Sequence, residues 1–181
     1  MHTRKKAVLT GIAALLILAV LLLLLQELFR PKYGYGNIPE GTLIADYYDE
    51  AGEAGGHDVI FIGDCEVYEN FSPITLWEEY GITSYIRGSA QQLIWQSYYL
   101  LEDTLRYEKP DVVVFNVLSM QYGTPQSEAY NRLNLDGMRL SVSKIKAVLA
   151  SMTEEESLVS YLFPLLRYHD RWSELTVRDF T

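Results

Sequence analysis

Three short stretches combine residue types that can do chemistry. An apolar run ends in Gly63-Asp64-Cys65 and places the chain's single cysteine at the tip of an expected strand. A thiolate attacks acyl carbons well, so Cys65 is a candidate nucleophile. Gly88 and Ser89 end a second such run, and Asn116 lies at the end of a third. Gly63 and Gly88 carry no Cβ, so their backbone N–H groups can approach an oxyanion closely, with Asn116 beside them. A cysteine nucleophile needs a base, and His169 is the one histidine late in the chain. Asp170 is a poor orienter for it, because adjacent helical residues do not face each other.

Each of these residues has a plainer alternative. Cys65 can be a small thiol that packs like alanine. Asp64 can cap the following turn through backbone amides. His169 can join Tyr168, Arg171 and Trp172 in a structural polar cluster. Glu66 is a further candidate acid. His57 precedes the first strand, at the wrong edge for this chemistry, and is expected at the surface.

The elements that must position these groups follow from pattern. "HDVIFIG", "ITSYIRG" and "DVVVFNVLSM" are short β-branched and aromatic runs of the kind buried in parallel sheets. Between the first two, Ser72 can cap a helix, Pro73 suits its first position and Gly81 its stop. Between the second and third, "SAQQLIWQSYYLLEDTLRYEKP" predicts a helix with Leu93, Ile94, Ser97, Leu101, Thr104 and Leu105 on one side. Strand, helix, strand, helix, strand is the rhythm of right-handed βαβ units. Ligands bind outside the carboxyl ends of such strands, which is where Gly63, Gly88 and Asn116 fall. After Met120 a loop is expected over 122–134, then a helix over "LDGMRLSVSKIKAVLASM". A last helix is expected from a capping box at Thr153 and Glu156, broken or kinked at Pro164.

The amino-terminal quarter has a different character. Ala7 to Leu25 contains no charge; nineteen residues at ~1.5 Å each span about 28 Å, close to a bilayer's hydrocarbon thickness. Arg4, Lys5 and Lys6 before it place the amino end in the cytoplasm. No Ala-x-Ala cleavage pattern follows, so an uncleaved signal anchor is expected, with the remainder exported. The expected organisation is a basic tail over 1–6, a transmembrane helix over 7–25, a tether over 26–56 and an α/β domain over 57–181. Within the tether, "TLIADYYDE" has the spacing of a short helix.

Composition closes off other classes. The net charge is −9, and beyond residue 26 it is −12, from 12 basic and 24 acidic residues. An acidic surface repels phosphate backbones, so nucleic acid is not an expected partner. One cysteine and three dispersed histidines give no metal-ligand spacing, and no glycine-rich nucleotide loop follows a strand, so no cofactor is expected. Trp77, Trp95, Tyr98 and Tyr99 are read as core in preference to a sugar-stacking platform.

"VIFIGDCEVYENFSP" resembles the first block of the SGNH (GDSL-type) hydrolases, with Cys65 where that family carries serine. "RGSAQ" resembles the second block, whose glycine matches Gly88, and Asn116 is a loose match to the third. "LWEEYGITSY", "EAYNR", "SKIKA" and "FPLLRYH.RW" occur in order, as in membrane-anchored, extracellular SGNH-like proteins of Gram-positive bacteria. The resemblance implies a three-layer α/β/α, flavodoxin-like parallel sheet. It implies work on acyl esters of cell-surface glycans, by hydrolysis or O-acyl transfer, with the cell wall or an exopolysaccharide as partner. A catalytically inactive, membrane-tethered scaffold of envelope assembly is the alternative. The family's Asp-x-x-His block has no counterpart here, so the resemblance implies that residues 58–181 are the first part of a larger domain, the alternative being a reduced fold.

Overall fold

The computed structural model describes residues 2–29, 41–51, 55–124 and 127–180. The chain divides into two compact units, one of residues 1–32 with 162–181 and one of residues 33–161.

In the first unit, α1 (His2–Phe29) is apolar on all sides over residues 7–25. Its Lys5–Phe29 stretch is long and apolar enough to cross a membrane.

The second unit is α/β. In chain order it holds α2 (Gly41–Glu50), β1 (Val59–Gly63), α3 (Cys65–Asn70), α4 (Pro73–Tyr80), β2 (Ser84–Gly88), α5 (Ile94–Tyr107), β3 (Val112–Phe115), α6 (Glu128–Leu135) and α7 (Val142–Ser151). The short α8 (Leu158–Leu162) follows them. The three strands are parallel in the order β2-β1-β3, with Gly63 level with Gly88 and Ile62 level with Phe115. In this order the chain leaves β1 to one side and returns on the other.

Helices cover both faces of the sheet. Ile60, Ile62 and Tyr85 pack with Ile44 and Tyr47 of α2, Leu100 of α5, Leu135 of α6 and Val148 of α7. On the opposite face Phe61 and Ile86 pack with Val67 of α3, and Leu76 of α4 lies against them. Strand side chains alternate between faces, which is why Ile60 and Phe61 serve different layers.

Local signals place several elements. Ser72 Oγ accepts from the Thr75 amide at 3.2 Å, Pro73 opens α4, and Gly81 closes it with φ +68°. Pro164 separates α8 from α9 (Pro164–Tyr168), as its missing donor requires. The tail of the first unit ends in two 3₁₀ turns, His169–Ser173 and Val177–Phe180.

Other expectations change. The stretch expected as tether contains α2, whose Ile44 and Tyr47 are fully buried, so the α/β unit recruits residues upstream of 57. The helix after β2 starts at Ile94, because residues 89–92 turn and Gln91 takes φ +52°. Its buried side is Gln96, Ser97, Leu100, Asp103 and Thr104, while Leu105 is exposed. The loop expected over 122–134 contains α6, fixed by tertiary bonds from Asn131, Arg132 and Asn134. The helix expected from Leu135 begins only at Val142, where Ser141 Oγ caps the Lys144 amide. Glu156 does accept from the Thr153 amide at 2.7 Å, but the pair closes a turn ahead of α8.

Candidate functional site

The carboxyl edge of the sheet collects Gly63, Asp64 and Cys65 after β1, Gly88 and Ser89 after β2, and Asn116 after β3. Backbone bonds stitch these ends together. The Asn116 amide donates to Ile62 O at 2.8 Å, and the Ser89 amide donates to Gly63 O at 3.4 Å.

Asp64 is buried and caps α3 through a bond from the Glu66 amide to its Oδ1 at 3.1 Å. The same oxygen accepts from Asn116 Nδ2 at 3.3 Å, and Asn116 Oδ1 accepts from the Leu118 amide at 2.6 Å. Asp64 and Asn116 therefore tie the β1 turn to the β3 turn. This is the place where chain direction over the sheet reverses, and where ligands of open α/β sheets bind.

Both glycines answer to close packing. A Cβ on Gly63 would run into Asn116 Cβ. A Cβ on Gly88 would run into Val67 Cγ2 and stand 3.0 Å from Gly63 O.

Cys65 is the first residue of α3 and is partly exposed. Burial pushes its thiol pKa up, and the charges of Asp64, Glu69 and Glu66 add to that, against a smaller opposing pull from its own backbone amide. The surroundings favour the neutral thiol, whereas the thiolate is the attacking form. Glu66 Oε2 accepts from Asn70 Nδ2 at 2.8 Å along its own helix.

His169 belongs to the other compact unit, where it is exposed and its Nδ1 stands 3.3 Å from Leu166 O. The histidine inside the α/β unit is His57, just ahead of β1. Expected at the surface, it is instead partly buried, with Nδ1 3.0 Å from Oε2 of the buried Glu108. Its amide donates to the same oxygen at 2.7 Å. Trp77 and Tyr98, read as core, are exposed, because α4 and α5 turn them outward.

The sequence reading missed the most demanding polar group. Arg87 is fully buried and lies between the Tyr47 and Tyr48 rings, 4.0 Å and 5.1 Å from their centroids. It donates to Thr104 Oγ1 at 2.8 Å, to Tyr48 Oη at 3.1 Å and to Asp103 at 3.3 Å. Tyr48 Oη donates to Asp103 at 2.6 Å. Burial is the main cause that pushes the Tyr48 pKa up, to about 12.

A second network fixes the loop after β2. Gln92 Nε2 donates to Ser97 Oγ at 2.9 Å, and Asn134 Nδ2 donates to Gln92 Oε1 at 2.5 Å. Gln96 Nε2 reaches Asn131 Oδ1 at 3.0 Å. One signal was available: Gln96, Asp103 and Thr104 recur at helical spacing with Leu100. A polar set sharing a leucine's face means either an exposed stripe or a bonded buried network.

In comparisons with known proteins, no family model matches this chain, and neither a curated protein nor a solved structure matches it.

Proposed function

We propose that the chain is a membrane-anchored, SGNH-like protein whose α/β unit engages acyl esters of cell-surface glycans at the Asp64–Cys65/Gly88/Asn116 edge. The observation that carries this reading is the meeting of the Gly63–Cys65 turn, Gly88 and Asn116 at one carboxyl edge of a β2-β1-β3 parallel sheet. In the anchored arrangement the uncharged run from Ala7 to Leu25 crosses the cell membrane, Arg4 to Lys6 stay in the cytoplasm and the α/β unit is extracellular.

As an esterase or O-acyltransferase, the protein would use the Cys65 thiolate to attack the acyl carbon. The glycan oxygen leaves with a proton, and water or a second hydroxyl then accepts the acyl group. The Cys65 and Gly88 amides and Asn116 would hold the developing oxyanion.

A second reading, an inactive membrane-tethered binding or scaffold protein of envelope assembly, is favoured by one specific observation. Burial raises the Cys65 thiol pKa and the charges of Asp64, Glu69 and Glu66 add to it, which favours the neutral thiol, while Asp64 accepts from Asn116 Nδ2.

The two part on acylation. The full chain in detergent is treated with p-nitrophenyl acetate, and Cys65 is examined by peptide mass spectrometry. Catalysis predicts acetylation at Cys65 faster than in the urea-unfolded chain, release of acetate, and loss of both in Cys65→Ser. Acetylation no faster than in the unfolded chain removes the enzyme reading and leaves binding of acylated glycan as the function to measure.

A further inference from the structure

The first compact unit joins α1 to the tail of the chain, and the level at which they join is informative. Phe163, Leu165 and Leu166, at and just inside α9, line an apolar groove with Ala19, Leu22 and Leu23 of α1. Ala19 to Leu25 is the last stretch of the uncharged run, about 9 Å at ~1.5 Å per residue. A helix that spans a bilayer has that stretch inside the hydrocarbon, so its groove partners share the depth.

The polar groups of the tail sit at the end of α1. Arg171 Nη1 donates to Phe29 O at 2.9 Å, which satisfies a carbonyl that the helix terminus leaves without an intrahelical partner. Arg171 Nη2 also pairs with Asp179 Oδ1 at 3.1 Å, and the Thr176 amide donates to Asp179 Oδ2 at 2.8 Å. The tail is thus graded, with apolar side chains beside the hydrocarbon stretch and a bonded ionic cluster where α1 ends.

Its outer surface carries large exposed apolar side chains among the exposed Arg167, His169, Asp170 and Glu174. Leu166 is 57% exposed, Trp172 71%, Val177 83% and Phe180 69%. Residues 162–181 carry three arginines against Asp170, Glu174 and Asp179, a net charge of zero. Attraction to anionic headgroups is therefore weak, and apolar area is what remains to drive association.

We infer that residues 163–180 form a second membrane-contact element, lying in the bilayer interface beside α1 with Leu166 and Trp172 against lipid acyl chains. The occupant of this surface is the lipid of the bilayer itself. Trp is a common interfacial anchor, and Pro164 removes one backbone donor that lipid would leave unsatisfied. This inference rests on α1 crossing the membrane.

The test uses the full chain, with Cys65→Ser, reconstituted in phosphatidylcholine vesicles. Single spin labels are placed by Leu166→Cys, Trp172→Cys, Leu16→Cys on α1 and Glu78→Cys on the exposed side of α4. Collision with oxygen reports lipid, and collision with a soluble nickel chelate reports water. Expected is a gain in oxygen collision and a loss of nickel collision at Leu166 and Trp172 relative to Glu78, unchanged by added salt. Nickel collision at both tail sites equal to that at Glu78, or shielding of both from either reagent, overturns the inference while a lipid signal at Leu16 leaves the anchor standing. A water signal at Leu16 overturns both. Two independent tail labels guard against one substitution that disturbs folding.

Discussion

On the sheet face covered by α2, α5, α6 and α7, apolar side chains share the interior with a fully buried arginine, its aspartate and a ring of tyrosine and threonine hydroxyls. On the face covered by α3 and α4, the buried set is Phe61, Val67 and Ile86, and α4 leaves Ile74, Trp77 and Tyr80 exposed. The first face obtains its order from directional bonds that fit one arrangement of four helices. The second relies on close approach, with two glycines accommodating Asn116 and Val67. The candidate site lies at the carboxyl edge of the second face, where packing is thinner.

The largest effect is expected on the bonded face. Asp103→Ala leaves Arg87 charged, fully buried and without its carboxylate, at a cost of about 3–5 kcal/mol. The midpoint of urea unfolding of the full chain in detergent measures it. Arg87→Met combined with Asp103→Leu is expected to recover most of the loss, since a well-packed apolar pair often substitutes for a buried ion pair. A double variant as unstable as the single one would show that shape, not charge, governs this face.

On the packed face, Gly88→Ala is expected to cost about 1–3 kcal/mol by overpacking against Val67. Val67→Ala opens the space, so Gly88→Ala should cost less in that background. Additive losses would mean that the collision is with the Gly63 and Asp64 carbonyls instead.

A group on neither face sets the small end. Asp58 accepts from the Thr83 amide and hydroxyl, both at 2.8 Å, at the amino ends of β1 and β2. The amide bond is the leading cause that holds its carboxyl below the ordinary value. A depressed carboxylate stabilises the fold above its unfolded pKa, and that contribution is lost as pH falls through the folded one. Asp58→Asn should therefore lower stability slightly at neutral pH and leave it unchanged below the folded pKa. An equal difference at every pH would remove the charge from the account.

How much of this was legible can be traced through particular residues. Ser72, Pro73 and Gly81 announced α4, since a cap, a fixed φ and a left-handed stop act within one turn of chain. The three apolar runs announced the strands, and their glycine ends announced the edge where Gly63 and Gly88 meet. Helix α6 was read as loop because its buried residues before Leu135 are two asparagines and an arginine, whose partners lie 20 to 42 residues away in sequence. The face of α5 was read one position off, because leucine spacing ignored the pull of Arg87 on Asp103 and Thr104. Among the candidate site residues, the strand ends and the capping role of Asp64 were legible in the pattern, but the bond from Asn116 Nδ2 to Asp64 and the burial of Cys65 were not.

By itself the sequence determined what depends on near neighbours and on solvent. That is the uncharged helix at the start, the alternation of strand and helix, the caps, and the glycines at the strand ends. The tertiary structure alone decided which polar groups are inside, because a buried arginine is tolerable only where distant donors and acceptors converge on it. It also decided the state of the thiol, because burial is the main cause that raises its pKa, and burial exists only once α3 has folded onto the end of β1.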